Sequence, residues 1–249
     1  MADRLRAFCK FLERRSKKNW DNAVLIDGQE GSGKSTLALL IKGFYDGGLN
    51  LMHVVYDGND LLSEMETAPD GSCILVDEGK DAANRRLWYS DLNIALGQAL
   101  SIIRDKNYLL VVNIPRANEL DTHVINRFHY RFWTYTPNKQ DRGFVQLYEF
   151  VDVPFAKQKR WQRYRFHYRF PQLPEWFEKQ YHPFKRENLD KKMREYRERA
   201  LAKDKKEKRI TKRDLVREHL EEHPSDDANA IAKALETDPG YISRLLKSI

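Results

Sequence analysis

Residues Gly28, Gln29, Glu30, Gly31, Ser32, Gly33, Lys34 and Ser35 fit the phosphate-binding spacing G-x-x-x-x-G-K-[ST] at every defined position. The spacing has a chemical reason. Glycines at 28, 31 and 33 can take backbone angles that other residues resist, so consecutive N–H groups can turn inward and wrap a phosphate. Together with Thr36, these residues are the expected contacts to a nucleotide, taken to be ATP. Lys34 can reach the outer phosphates, and the Ser35 hydroxyl is placed to hold Mg²⁺, which neutralises charge as the terminal phosphoryl group leaves. A second pair, Asp77 and Glu78, follows the apolar run Cys73, Ile74, Leu75, Val76. Asp77 is expected to orient Mg²⁺ through its water shell, and Glu78 to be the base that positions and polarises the attacking water. Asn113 closes another apolar run, where it either senses the terminal phosphate or bonds to a neighbouring loop.

These groups need a frame. Residues 23–27 read as a buried strand leading into the loop, and residues 36–41 as a helix packed on a sheet, with its positive end aimed at the same anion. Further strands are expected at 52–56, 73–78 and 109–114, alternating with helices at 60–67 and 91–104. That alternation predicts a parallel sheet with right-handed crossovers and the nucleotide at the carboxyl ends of the strands. Residues 1–20 read as a helix that covers a sheet edge or contacts a neighbouring molecule, and 128–136 with 144–151 as a hairpin. The expected fold class is α/β: a P-loop NTPase with a mostly parallel sheet flanked by helices, an antiparallel hairpin, and a small all-α unit at the C-terminus.

The chain has 249 residues, 41% of them hydrophobic, which suits one sizeable domain and a small appendage. No apolar run approaches the ~20 residues that cross a bilayer, and the charged start has no signal-peptide core. A soluble, cytoplasmic protein without membrane contact is expected. Cys9 and Cys73 stand far apart with no metal-site spacing around them, so neither a disulfide framework nor a zinc site is expected.

Charge is unevenly placed. Residues 157–213 carry 21 Lys and Arg against 8 Asp and Glu, a local excess of +13 beside +7 for the whole chain, which leaves −6 for the rest. Such concentration fits DNA, although an acidic protein or an anionic membrane would also be attracted. Within it, residues 163–170 alternate cation or His with aromatic rings, so a strand there would show a ring face and a cationic face. Either the rings pack on the core while Arg163, Arg165 and Arg169 are solvated, or the surface tracks a phosphate backbone and stacks on bases; both faces can also serve at once. Residues 183–209 read as a long charged helix with a thin stripe of Leu189, Met193, Tyr196 and Ala200. The last forty residues read as three short helices at 215–223, 229–236 and 241–249, with Ile231, Leu235, Ile242, Leu245 and Leu246 as their core. A helix-turn-helix of this kind leaves Tyr241, Ser243, Arg244 and Lys247 to face a major groove, though any small three-helix module has the same periodicity. Three regions follow: 1–152 for the ATPase, 153–209 for a basic, aromatic and helical extension, and 210–249 for DNA binding.

With these motifs placed, the first 150 residues resemble P-loop ATPases of the additional-strand group to which RecA, FtsK and HerA belong. The run from Arg85 and Arg86 through Asn93 and Arg104, the strand ending at Asn113, and Glu119-Leu120-Asp121 are similar to zonular occludens toxin relatives and to ATPases of viruses and plasmids. The resemblance implies ATP hydrolysis coupled to moving or packaging DNA by a homo-oligomer, often a ring, working with a viral or replication protein. It also implies an arginine supplied to a neighbour's site; Arg104 and Arg127 are the candidates, with an internal salt bridge as the other fate of each. Phage members of the zonular occludens group carry a membrane segment not found in this sequence, so an envelope-anchored role is not expected. Alternatives to the motor are an ATP-gated DNA-binding regulator and a helicase loader. A small-molecule phosphotransferase would leave the basic tract and terminal unit without a task.

Overall fold

The computed structural model describes residues 2–77, 85–138, 140–152, 160–207 and 212–246. The chain divides into two compact units, Met1–Lys192 and Met193–Ile249. The first is built on a seven-stranded sheet. Its strands are β1 (Asn22–Gly28), β2 (Val54–Val55), β3 (Cys73–Val76), β4 (Leu109–Asn113), β5 (Tyr130–Tyr135), β6 (Phe144–Asp152) and β7 (Arg160–Arg169). They lie in the order β2-β3-β4-β1-β5-β6-β7.

From β2 to β5 every pairing is parallel, and β5 to β7 is antiparallel. The expected hairpin is present as β5 and β6, and β5 also pairs with β1, which joins it to the parallel strands. The inner parallel strands β1, β3 and β4 are apolar on both faces, as strands covered on both sides must be, whereas β5 alternates buried and half-buried positions. The register sets Ile26 beside Asn113 and Val76 beside Val112. Consequently β1, β3 and β4 end together, with β4 inserted between the other two.

Helices α1 (Ala2–Ser16) and α2 (Lys34–Tyr45) cover one face, where Leu5, Phe8 and Leu12 join Leu37, Ile41, Val24, Ile26 and Leu75 in one core. Phe8 meets Tyr130 and Phe132 edge-on, with ring centres 5.1 and 5.2 Å away. The first helix thus lies on the sheet face over β5 rather than at an edge; the edges are β2 and β7. Three buried side chains, at roughly 1.5 to 3 kcal/mol each, favour a face over an exposed rim. Helix α3 (Gly58–Thr67) and α4 (Arg85–Ile102) pack together so closely that a Cβ on Gly58 would lie 2.7 Å from the Asp91 carbonyl oxygen. Helix α4 begins earlier than the expected residue 91.

Two segments of the extension belong to the first unit. Tyr168 in β7 and Phe170 just after it are buried in the core while His167 and Arg169 are exposed; the side chains of 163–166, on which the choice between the two expected arrangements also turns, lie outside the described residues. The pairing register with β6 skips Arg165, so the expected strict alternation is interrupted there. Helix α6 (Glu175–Glu207) follows the short α5 (Thr122–Ile125) and begins before the expected residue 183, with Pro183 inside it. A proline in a helix costs ~3 kcal/mol. Phe177 and Tyr181, both buried, with Phe184 and Leu189 packed behind them, offset that cost by burial on the core.

In the second unit, α7 (Lys212–Glu222), α8 (Ala228–Ala234) and α9 (Pro239–Leu246) enclose Val216, Ile231, Ala232 and Ile242, ringed by Leu220, Leu235, Leu245 and Leu246. Two aspartates start helices: Asp227 Oδ1 accepts from the Ala230 amide at 2.8 Å, and Asp238 Oδ1 from the Tyr241 amide at 2.8 Å. Among the described residues, no helix is long and apolar enough to cross a membrane.

Candidate phosphate and metal site

The chain leaves β1 at Gly28, whose φ is +134°; a Cβ there would sit 2.1 Å from the Thr134 carbonyl oxygen of β5. Only glycine permits this exit. The loop is then tied to β5 by its own polar groups. The Gln29 amide donates to Thr134 O at 3.0 Å, and Gln29 Oε1 accepts from the Thr136 amide at 2.8 Å. Ser32 is buried, with its hydroxyl 2.6 Å from both Gln29 O and Thr134 Oγ1. Gly33, in the left-handed region at φ +98°, opens α2. Glu30 and Gly31 are exposed, and Thr36 is half-buried in the first helical turn.

Lys34 is buried and bends back over the loop, donating to Gly28 O and Gln29 O at 3.1 Å each. Ser35 points across the sheet ends. Its hydroxyl donates to Asp77 Oδ1 at 3.0 Å, joining the start of α2 to the residue after β3. Asn113, at the end of the intervening β4, donates through Nδ2 to Ser35 Oγ at 3.3 Å and to Asp77 Oδ1. The bonding alternative for Asn113 is thus present, and its Oδ1 is a buried acceptor with no partner among the described residues.

Two groups that the sequence reading passed over complete the cluster, both from α6. Lys185 Nζ donates to Asp77 Oδ2 at 2.7 Å and to Ser35 Oγ at 3.2 Å, and the Tyr181 hydroxyl donates to Asp77 Oδ2. Asp77 is 1% exposed. Burial alone would push its carboxyl up; the Lys185 charge, with hydrogen bonds from Lys185, Tyr181 and Asn113, outweighs burial and holds it below the ordinary carboxylate range. Burial, then the Asp77 charge, pushes the Tyr181 hydroxyl far above its ordinary range, so it remains a proton donor. The sequence did contain a signal: Phe177, Tyr181 and Phe184 sit at i, i+4 and i+7, an apolar stripe that crosses Pro183.

Ser35 Oγ and Asp77 are hard oxygen donors that already converge on one positive charge, so their chemistry fits a cation such as Mg²⁺. Among the described residues no group of three or more His, Cys, Asp or Glu is gathered to hold a metal. A metal on this pair would complete its shell with water and phosphate oxygens, as Mg²⁺ does in phosphate sites.

The remaining candidates are placed as follows. Glu78 lies outside the described residues. Arg104 precedes β4 and Arg127 precedes β5, so both lie at the amino-terminal edge of the sheet, the opposite end from the loop. Arg127 caps α4 there, donating to Leu100 O at 2.5 Å. Neither reaches this chain's own loop. The side chains of Arg163 and Arg165 lie outside the described residues, whereas Arg169 is exposed with its guanidinium 5.4 Å from the Phe144 ring centre. Tyr241, Ser243 and Arg244 are exposed along α9, and Lys247 lies outside the described residues.

No protein-family model matches the sequence. No curated protein matches it. Among solved structures, the N-terminal domain of zonular occludens toxin from Neisseria meningitidis is similar at 16% identity with a TM-score of 0.34, over 58% of this chain and 93% of that one.

Proposed function

We propose that this chain is a Mg²⁺-dependent ATPase of the phosphate-loop kind, with turnover coupled to movement of DNA. One observation carries the ATPase reading: a glycine-bounded loop opens α2, and Ser35 in its first turn bonds Asp77 at 3.0 Å across an inserted strand. The inserted β4 also agrees with an additional-strand ATPase. In this reading the loop amides and the start of α2 receive the β- and γ-phosphates, and the Lys34 ammonium turns from Gly28 O and Gln29 O to the phosphate oxygens. Magnesium held by Ser35 and Asp77 would supply charge neutralisation at the phosphates. Asn113 keeps Ser35 and Asp77 aligned, and Glu78 accepts a proton from the attacking water.

The DNA half of the proposal draws on the basic tract and on α9. Tyr241, Ser243 and Arg244 form an exposed row at the last of three short helices, the position of a recognition helix in a helix-turn-helix. Lys34→Ala should lower ATP hydrolysis by about 10²- to 10³-fold, the loss of one preorganised positive donor, while circular dichroism stays unchanged. Wild-type turnover in that variant overturns the ATPase assignment. ATPase rates with and without duplex DNA across a salt series test the coupling; rates indifferent to DNA at every salt concentration overturn the motor reading.

A further inference from the structure

We propose that α6 is an internal competitor for the metal site, with Lys185 holding the position between Ser35 and Asp77 that Mg²⁺ takes when nucleotide binds. The inference rests on the proposed nucleotide and metal reading and adds a regulator to it. Three contacts build the plug. Lys185 Nζ lies 2.7 Å from Asp77 Oδ2 and 3.2 Å from Ser35 Oγ, the same two side chains that the metal needs, and the Tyr181 hydroxyl donates to the same carboxylate oxygen. The ammonium occupies the oxygens that a divalent ion would use, Ser35 directly and Asp77 through the ion's water shell, and two cations so close repel each other, so one excludes the other.

The plug is held from both directions along the helix. One and two turns before Lys185, Tyr181 and Phe177 are sunk in the core. Two turns after it, Lys192 is buried and pairs with Asp57 and Asp60, each at 2.8 Å, at the start of α3. Residues 181, 185, 188 and 192 fall on one helical face, so a single docking of α6 seats Tyr181, Lys185 and Lys192 together. Leaving the site costs Lys185 a charge-assisted contact, and it leaves Asp77 buried without that partner unless another cation arrives. Removal of Lys185 and arrival of metal are therefore one exchange.

The test uses the full chain with a fluorescent ATP analogue at fixed concentration and Mg²⁺ varied in chelator-buffered solution. In Lys185→Met the Mg²⁺ concentration giving half of the metal-dependent nucleotide binding should fall about tenfold, the scale of one charge-assisted contact. Equal Mg²⁺ requirements in variant and wild type, with both binding nucleotide, overturn the competitor and leave the proposed function standing. No nucleotide binding by either protein overturns both. A measurement on the wild type guards against a variant that fails to fold. Hydrogen exchange of residues 181–189 should be faster with Mg²⁺ and nucleotide than with nucleotide and chelator, and equal rates overturn the inference.

Discussion

Two lysines rest on oxygens of the loop region: Lys34 on the carbonyls of Gly28 and Gln29, Lys185 on Ser35 and Asp77. In the proposed function both partnerships are traded, one for phosphate and the other for metal. Asn113, by contrast, has no charge to trade, and its donations to Ser35 and Asp77 act as a fixed brace. Asn113→Ala should lower folding stability by about 1 to 3 kcal/mol, the cost of leaving a buried acceptor short of a donor, measured by urea unfolding. Cys9 offers a separate check of the core. Burial, with a smaller push from Glu13, raises its thiol to about 12. For an acid raised in the fold, the stability gained is complete below the ordinary thiol range of about 8.5 and is lost as pH climbs toward the folded value. At pH 8 both buried cysteines should therefore resist a thiol reagent until denaturant is added, and rapid native-state labelling of Cys9 would contradict its burial beneath α2.

At the scale of elements, what could be seen in the sequence depended on how many local signals agreed. Residues 23–36 were legible because an apolar strand, fixed glycine spacing and an apolar helix start all point to one geometry, and β3 and β4 because uninterrupted Val, Leu and Ile mark strands covered on both faces. Helix α6 was obscured by conflict. Proline at 183 and dense charge argue for a start at that residue, whereas the stripe from Phe177 to Phe184 argues for burial, and burial prevails. The skip at Arg165 in β7 could not be foreseen, because a register depends on the partner strand. Lys185 was missed for a related reason: nothing local distinguishes a lysine that meets a carboxylate 108 positions away. Phe177→Ala should cost about 3 to 5 kcal/mol and loosen α6 from the core. Thermal melting should register the loss, and an unchanged midpoint would show that α6 is not anchored there.

For the whole molecule, the +13 of residues 157–213 set against −6 elsewhere means that the proposed DNA binding should weaken steeply with salt. Tyr241→Ala with Arg244→Ala should weaken duplex binding in a fluorescence-anisotropy titration while the ATPase rate without DNA is unchanged. Undiminished binding would remove α9 from the interface.

Pro183 bears on timing as well as shape. Its ring deletes the amide that would bond to the Lys179 carbonyl, one turn back along α6, so the helix lacks one backbone hydrogen bond, a point at which it can crease, two residues before Lys185. In the proposed exchange, bending there would let the ammonium swing out without unwinding the helix. The proline would then set a latch speed: Pro183→Ala, by stiffening the crease, should slow metal-triggered nucleotide uptake in stopped-flow mixing.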